Sequence, residues 1–445
     1  MDTLPDSTID RVKQWVRGSI SLRILTIAFL ILLLLIPVSM ITSLIREREN
    51  LREEVVAEVS DKWSKSQILA GPILSVPYKE YYKTEEGELI EKIGHAYFLP
   101  DELYVAGDVV PQVRYRSIYE VVVYTTHLKV EGYFSRPDFA AFDIDPEHIL
   151  WDDATVTVGL SDLRGITEAV VLDWQGRDGS FDPGATKDLF ESGITASIDL
   201  SANGPAGDSL PFSFRLDLNG SGSLHFVPLG KQTQVALTST WADPSFDGAF
   251  LPDARTVGAD GFTADWKVLH LNRNYPQQWL GDQYRIFSSS FGVRLLVPVD
   301  AYQKSMRSAK YAILFISLTF LTFFFIEIMN SKRIHPIQYI MIGFALSVFY
   351  VLLISLSEHL NFNFAFILSS LAVVLLITLF SVALFKSRRL TLLTALMLVF
   401  MYGFIYTLLQ LQDYALLIGS LGLFCVLAAF MYFSRKIDWY ASSDS

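Results

Sequence analysis

Long runs of apolar residues stand out along the chain, first near the N-terminus and then five times in succession near the C-terminus. A helix that crosses a bilayer needs about 20 mostly apolar residues. Six runs have this length: Ile24–Ile45, Tyr311–Met329, Pro336–Leu356, Phe364–Phe385, Leu390–Gln410 and Tyr414–Phe433. The pattern predicts one retained anchor, a large insert and a five-helix bundle, because the first run is too long for a signal peptide and lacks a small-residue cleavage site.

The two ends of the insert show helical periodicity. Leu51, Val55, Val59 and Trp63 recur at every fourth position, which is typical of one face of a helix. We expect the first transmembrane helix to continue as a stalk up to Gly71-Pro72, and a second stalk over Ala301–Lys310 to run into the second span.

Between these ends the apolar residues alternate with a period of two, which is typical of strands with one buried face. The predicted strands are Tyr119–Thr125, Thr155–Leu160, Thr195–Leu200, Pro211–Leu218, Gln234–Thr240 and Thr263–Leu271. Asp178-Gly179 and Asn219–Gly222 are typical of tight turns. The fold class that follows is an α+β membrane protein, with an antiparallel, sandwich-like β domain inserted between spans one and two.

The positions of lysine and arginine predict the orientation, because these residues favour the cytoplasmic side of short loops. If every run crosses the membrane, all basic residues of the short flanks lie on one side: Arg11, Lys13, Arg17, Arg23, Lys332, Arg333, Lys386, Arg388, Arg389, Arg435 and Lys436. The predicted order is therefore a cytoplasmic N-terminus (1–23), the anchor (24–45), a domain outside the cytoplasm (46–310), the bundle (311–433) and a cytoplasmic tail (434–445).

Composition narrows the possible functions. Hydrophobic residues make up 51% of the 445 residues, and the formal net charge is −11. The insert contains 25 basic and 39 acidic residues, a net charge of −14, so nucleic acid is not an expected partner. The single cysteine excludes an intramolecular disulfide and any cysteine-built metal centre.

Two sets of polar residues in the sequence are candidates for chemistry in the membrane region. Glu327 lies well inside a span, where a buried carboxylate is often functional, although it could also reach the flanking Lys332, Arg333 and His335 at the helix end. Glu358 and His359 follow Ser357 at the end of another span. Consecutive helical residues point about 100° apart, so the three side chains cannot converge as a catalytic triad within a helix, and Glu358 or His359 could instead anchor the external domain.

In the insert, Asp162 and Arg164 of Ser161–Gly165 are expected to form an ion pair around a turn, with a structural role favoured over ligand binding. The five histidines of the insert have no spacing typical of metal ligands, and no known hydrolase or phosphate-loop motif occurs. Trp241, Trp266 and Trp279 fit a core better than a carbohydrate platform. We therefore expect no catalytic residue, no cofactor and no metal.

Longer segments resemble a known family. They are Trp63–Tyr78 (WSKSQILAGPILSVPY), Arg114–Tyr124 (RYRSIYEVVVY), Ser161–Gly165 (SDLRG), Pro244–Arg255 (PSFDGAFLPDAR), Leu271–Trp279 (LNRNYPQQW), Asp300–Lys310 (DAYQKSMRSAK), His335–Tyr339 (HPIQY) and Ser355–His359 (SLSEH). Together they resemble the CreD family of bacterial inner-membrane proteins. The resemblance implies a large periplasmic domain and a link to cell envelope integrity and stress, and it supplies no catalytic residues to carry over.

Three functions remain open from the sequence. The first is a non-enzymatic membrane protein whose periplasmic domain binds or braces an envelope component. The second is a lipid or solute transporter, which would need Glu327, Gln338 and Gln410 to face a common cavity. The third is a periplasmic hydrolase with a histidine-centred or carboxylate site. The lipid bilayer is the one partner that the sequence predicts directly, and the sequence does not predict the oligomeric state.

Overall fold

The computed structural model describes residues 20–83, 89–185, 189–201, 209–295, 301–330, 333–411 and 414–435. The chain divides into two compact units. We call Met1–Arg52 together with Val299–Ser445 the membrane unit, and Glu53–Pro298 the β unit. Several residues of the sequence analysis lie outside the described ranges: Arg11, Lys13, Arg17, Asp300, Lys332 and Lys436.

Long apolar helices form the membrane unit. The helices in chain order are α1 (Ile20–Trp63, whose last residues belong to the β unit), α2 (Ala301–Lys310), α3 (Ala312–Met329), α4 (Pro336–Ser357), α5 (Phe362–Phe385), α6 (Arg388–Gln410) and α7 (Ala415–Ser434). Within the described residues, α1, α3, α4, α5 and α6 are long and apolar enough to cross a membrane, and α7 contains a shorter apolar stretch, Leu417–Tyr432. Each of the six predicted spans coincides with one of these helices.

Helix α1 packs in the membrane unit through a narrow stripe. Leu30, Leu34, Ile41 and Ile45 are buried, and their spacing places them along one side of the helix. Leu34 packs against Gly343 of α4, where an added Cβ would lie 2.1 Å from Leu34 Cδ1. Glycine therefore lets the end of the Leu34 side chain pack close to α4 without shifting. The other faces of α1 carry large exposed apolar side chains, as expected for a surface in contact with lipid.

The β unit contains two sheets in the described residues. The first sheet has the order β13-β17-β11-β1-β5-β9-β8, with β2 pairing with β1 and β16 pairing with β2. Its strands are β1 (Gln67–Lys83), β2 (Leu89–Phe98), β5 (Ala154–Leu160), β8 (Asp182–Pro183), β9 (Gly193–Ile198), β11 (Ser223–Phe226), β13 (Pro244–Gly248), β16 (Gln278–Leu280) and β17 (Phe291–Leu295).

The second sheet has the order β14-β15-β12-β3-β4-β10-β6-β7. Its strands are β3 (Glu102–Arg116), β4 (Tyr119–Ser135), β6 (Val171–Trp174), β7 (Arg177–Ser180), β10 (Ser209–Ser221), β12 (Gln232–Ser239), β14 (Ala254–Gly258) and β15 (Gly261–Leu269). Most strand pairs are antiparallel, and the pairs β1–β11 and β3–β12 are parallel.

Alternating side chains from both sheets build one shared hydrophobic core. Strand β15 illustrates the rule, since Phe262, Ala264, Trp266 and Val268 are buried while the residues between them are exposed. This is the period of two that the sequence displays. The structure thus confirms the α+β membrane fold with a large β-rich insert.

Two local predictions are wrong. Helix α1 ends at Trp63, and Gly71-Pro72 lies inside β1 at an irregularity in its pairing with β5, where a proline is tolerated. The turn between β6 and β7 is Gln175-Gly176, both with positive φ, and Asp178-Gly179 lies within β7. In both cases long-range strand pairing outweighs the local turn preference.

Candidate functional site

Glu327 is the centre of a charged cluster in the membrane unit. It lies in the last turn of α3 with 5% of its side chain exposed. Arg23 Nη1 of α1 lies 3.3 Å from Glu327 Oε1, and the hydroxyl of Tyr339 in α4 donates to Oε2 at 3.0 Å. Both carboxylate oxygens therefore have a partner, and three helices meet at one side chain.

His335 and Arg333 lie beside this cluster, just before α4. The N–H of Ile337 donates to His335 Nδ1 at 3.3 Å, while the backbone N–H of His335 donates to Gln338 Oε1 at 2.8 Å. His335 therefore caps the start of α4. The ion partner of Glu327 in the described residues is Arg23 of a distant helix, rather than the neighbouring Arg333 or His335.

A cavity of about 540 Å³ opens next to these residues. Residues from α1, α3 and the start of α4 line it: Leu22, Arg23, Thr26, Ile27, Glu327, Arg333, Ile334, His335, Pro336 and Tyr339. Its volume falls in the range of small-molecule sites, roughly 300–1,000 Å³. The cavity combines cationic groups with an apolar wall.

We predict that Glu327→Gln lowers the free energy of unfolding of the full chain by about 1–2 kcal/mol, because it removes one charge of a largely buried pair while Arg23 keeps some access to water. Tyr339→Phe removes a single hydrogen bond, so its effect should be about 1 kcal/mol or less. Thermal unfolding of the purified protein in detergent measures both. Equal melting of Glu327→Gln and the wild type would contradict a structural contribution from this pair.

Glu358 and His359 lie at the opposite end of α4. Glu358 Oε1 lies 3.8 Å from Arg48 Nε of α1 and accepts a hydrogen bond from Tyr302 of α2 at 3.4 Å. Ser357 donates to the carbonyl oxygen of Ile354, and His359 is exposed. The three consecutive residues therefore have separate contacts, and Glu358 belongs to a contact among α1, α2 and α4.

A transport path would need Glu327, Gln338 and Gln410 to face a common cavity. In the described residues these three side chains lie in separate places. Glu327 lines the cavity beside Arg23, and Gln338 belongs to the cap of α4. Gln410 lies at the end of α6, where its amide donates to Asn363 Oδ1 at 2.8 Å.

In the β unit, Asp162 and Arg164 form a compact network where α1 ends and β1 begins. Asp162 is 8% exposed and accepts hydrogen bonds from the backbone N–H groups of Lys65 and Arg164 at 3.0 and 3.1 Å. The guanidinium of Arg164 holds both Asp162 oxygens at 3.0 and 2.9 Å and donates to the carbonyl oxygen of Asp61 at 2.6 Å. Every group has a protein partner, which is the arrangement of a structural clamp.

Gln67 extends this clamp into the core. Its fully buried side-chain amide donates to Ser64 Oγ at 2.9 Å, to the Asp162 carbonyl at 2.8 Å and to the Asn219 carbonyl at 3.2 Å. Burial tends to raise the pKa of Asp162, but the hydrogen bonds from Arg164 and the two backbone groups outweigh it and lower that pKa to about 2.

Two histidines of the β unit lie against carboxylates of other strands in the same sheet. His225 Nε2 lies 2.8 Å from Asp247 Oδ1, whose other oxygen pairs with Arg294 at 2.7 Å. His127 pairs with Asp217 at 2.9 Å. Among the described residues, no group of three His, Cys, Asp or Glu side chains could hold a metal ion. Trp266 and Trp279 are buried in the core, as the sequence analysis favours.

Arg273 is the main polar residue that sequence analysis missed. It is 8% exposed, and its guanidinium donates to the carbonyl oxygens of Tyr275 at 2.6 Å and Leu229 at 3.0 Å and also contacts Gln277 Oε1. Burial lowers its pKa to about 10, so it stays protonated at neutral pH. Arg23 and Tyr339 were also missed, since no local pattern connects them with Glu327.

Comparison with known proteins identifies the family of this chain. A family model described as "Inner membrane protein CreD" matches residues 19–440. The chain belongs to the CreD family. It is 32% identical over 418 residues to the inner membrane protein CreD of Escherichia coli (strain K12), with 93% of this chain and 92% of the relative covered.

Membership of the CreD family confirms the resemblance seen in the sequence. The chain is thus a member of an inner membrane protein family, and its long apolar helices agree with a location in a membrane. The description gives a location rather than a reaction, so the function must be argued from the residues.

Proposed function

We propose that this CreD-family protein is a non-enzymatic membrane protein that supports cell envelope integrity, with its β unit in the periplasm binding an envelope component. The distribution of lysine and arginine supports this orientation. The charged clusters Asp162–Arg164 and His225–Asp247 of the β unit are paired internally, which favours structural roles for these groups over catalysis.

The open edge of β2 is the observation that carries the proposal. Strand β2 pairs with β1 along its whole length, but β16 covers only Ala96–Phe98 on the other side. In the described residues no strand pairs with the second edge of Leu89–Gly94. Unpaired backbone groups at a sheet edge can accept an added strand from another chain.

The side chains at this edge are unusually apolar for an exposed strand. Leu89 is 66% exposed and Ile93 is 54% exposed. Both point to the same face as Tyr81, which is 44% exposed and donates to Glu91 at 2.9 Å. Between Leu89 and Ile93 on this face lies Glu91, which pairs with Lys79 at 3.2 Å. Exposed apolar side chains beside a free edge and a rim of charges are typical of an interaction surface. An extended polypeptide segment of an envelope protein fits both features.

Site-specific photocross-linking of the full chain in native membranes tests this function. A cross-linker at Leu89 should give one defined adduct with an envelope protein, and Ile93→Glu should reduce that adduct severalfold, because a buried charge at the interface is unfavourable. The matched control is a cross-linker at Leu271, which is 80% exposed on another part of the β unit. Identical adducts from both positions, or none from Leu89, would contradict the proposal.

A further inference from the structure

The cavity beside Glu327 has an excess of positive charge. Arg23 and Glu327 form an ion pair at 3.3 Å, so their charges largely offset each other. Arg333 also lines the cavity, and among the described residues no acidic side chain lies within ion-pair distance of it. The cavity therefore keeps about one net positive charge, which favours a ligand with a single negative charge.

The neutral groups of the cavity also favour an anion. His335 Nδ1 accepts the N–H of Ile337, so the remaining ring nitrogen, Nε2, carries a hydrogen and is a donor. Pro336 at the start of the 22-residue helix α4 lines the same cavity, and the positive end of a helix dipole lies at its N-terminus. Glu327 does not offset these donors, because Arg23 and Tyr339 occupy both of its oxygens.

The rest of the cavity wall is apolar. Leu22, Ile27 and Ile334 line it, and Ile24 and Leu25 on the adjacent faces of α1 are 43% and 66% exposed. An apolar wall makes no favourable contact with a free phosphate ion, whereas a phospholipid places its phosphate beside apolar chains that can pack on such a wall. Basic pockets between transmembrane helices are known to hold lipid headgroups. The cavity lies where three membrane helices begin or end, the level at which headgroups occur.

We propose that this cavity binds the phosphate diester of an anionic membrane phospholipid. Arg333 pairs with the phosphate, His335 donates a hydrogen bond, and the apolar wall contacts the glycerol and acyl part. The Arg23–Glu327 pair positions Arg23 at the cavity and prevents the carboxylate from repelling the lipid. This site is independent of the partner of the β unit, so each proposal can fail alone.

Lipid binding to the purified full chain in detergent tests the proposal. Native mass spectrometry with added phosphatidylglycerol should show about tenfold tighter binding than with phosphatidylcholine, which has no net charge. Arg333→Gln should reduce phosphatidylglycerol binding about tenfold, since it removes a charge-assisted contact. Arg333→Lys should retain most of the binding, because it keeps the charge.

Arg389→Gln is the matched control, because Arg389 is an exposed arginine at the start of α6 away from this cavity. It should leave phosphatidylglycerol binding within about twofold of the wild type, as expected for a surface charge. Equal losses in Arg333→Gln and Arg389→Gln, or equal binding of both lipids, would overturn the site. Inorganic phosphate is titrated in parallel, and binding as tight as that of phosphatidylglycerol would overturn the assignment to a lipid.

Discussion

Replacement of Asp162 by alanine is expected to lower the free energy of unfolding of the β unit by about 3 kcal/mol. The carboxylate accepts two backbone hydrogen bonds and holds Arg164 through both oxygens. Its loss leaves the part-buried backbone N–H groups of Lys65 and Arg164 without this acceptor, which costs more than the bonds themselves contribute. Thermal unfolding of the purified chain, followed by tryptophan fluorescence, measures the change.

Asp61→Asn is the control for Asp162→Ala. Asp61 contacts the same arginine, but its side chain is 60% exposed, and exposed ion pairs contribute little. We expect its unfolding midpoint to match the wild type. If Asp61→Asn and Asp162→Ala reduce stability equally, the buried carboxylate is not the origin of the effect.

The pH dependence of unfolding provides a second measure of the same carboxylate. The pKa of Asp162 is lowered to about 2 in the folded chain, below the usual value of 3.8. Its stabilising contribution is therefore complete above about pH 4 and is lost as the pH falls towards 2. The difference of nearly two pKa units corresponds to about 2 kcal/mol. This part of the acid sensitivity should disappear in Asp162→Ala.

Replacement of Arg273 by methionine is expected to lower the free energy of unfolding of the β unit by about 3–4 kcal/mol. Methionine keeps much of the side-chain volume but leaves the carbonyl oxygens of Tyr275 and Leu229 without their donors in a buried position. Unpaired buried acceptors each cost about 1–3 kcal/mol. Chemical denaturation of the purified chain provides the measurement.

Arg285→Met is the control for Arg273→Met. Arg285 is an exposed arginine of the same region, so its replacement should change the unfolding midpoint little. Arg273→Lys should give an intermediate loss, because a single ammonium group cannot reach both carbonyl oxygens in the fork geometry of a guanidinium. Unchanged stability of Arg273→Met would show that the buried contacts make no net contribution.

The contacts of the charged side chains distinguish structural positions from the proposed binding positions. Asp162, Arg164 and Arg273 have protein partners for their charged groups, so their variants should act on folding. The β2 edge and the cavity beside Arg333 instead keep exposed or unpaired groups towards their surroundings. Variants at Ile93 and Arg333 should therefore change binding and leave unfolding largely unaffected.

Several elements could be predicted from local pattern. All six apolar runs lie in helices, and the last five match their helices to within two residues at each end, because about 20 apolar residues need a helix to satisfy their backbone within lipid. The predicted strands all overlap observed strands, since their alternating side chains match a sheet with one buried face. Thr195–Leu200, Gln234–Thr240 and Thr263–Leu271 run one or two residues past the ends of β9, β12 and β15. Ser161–Gly165 was correctly expected to be a turn in which Asp162 and Arg164 pair, because residues so close in sequence meet in almost any tight turn.

Other features depended on contacts between distant residues. Helix α1 was predicted to extend to Gly71-Pro72, but Asp162 binds the N–H of Lys65 and the chain continues as the central strand β1. The turn near residue 176 was misplaced because the pairing of β6 with β7 sets the register. The sequence leaves Glu327 open between a functional buried carboxylate and contact with its flanking basic residues. Its ion partner in the described part of the chain is Arg23, more than three hundred residues away.

The sequence by itself therefore determined the membrane helices, the large insert and its β-rich character, because hydrophobic period and length act locally. Only the tertiary structure decided which charges pair, which sheet edge stays open and where a cavity forms. These properties depend on long-range register and helix packing, and residues such as Arg23, Arg273 and Ile93 carry no local signal of them. The proposed binding functions rest on those long-range features.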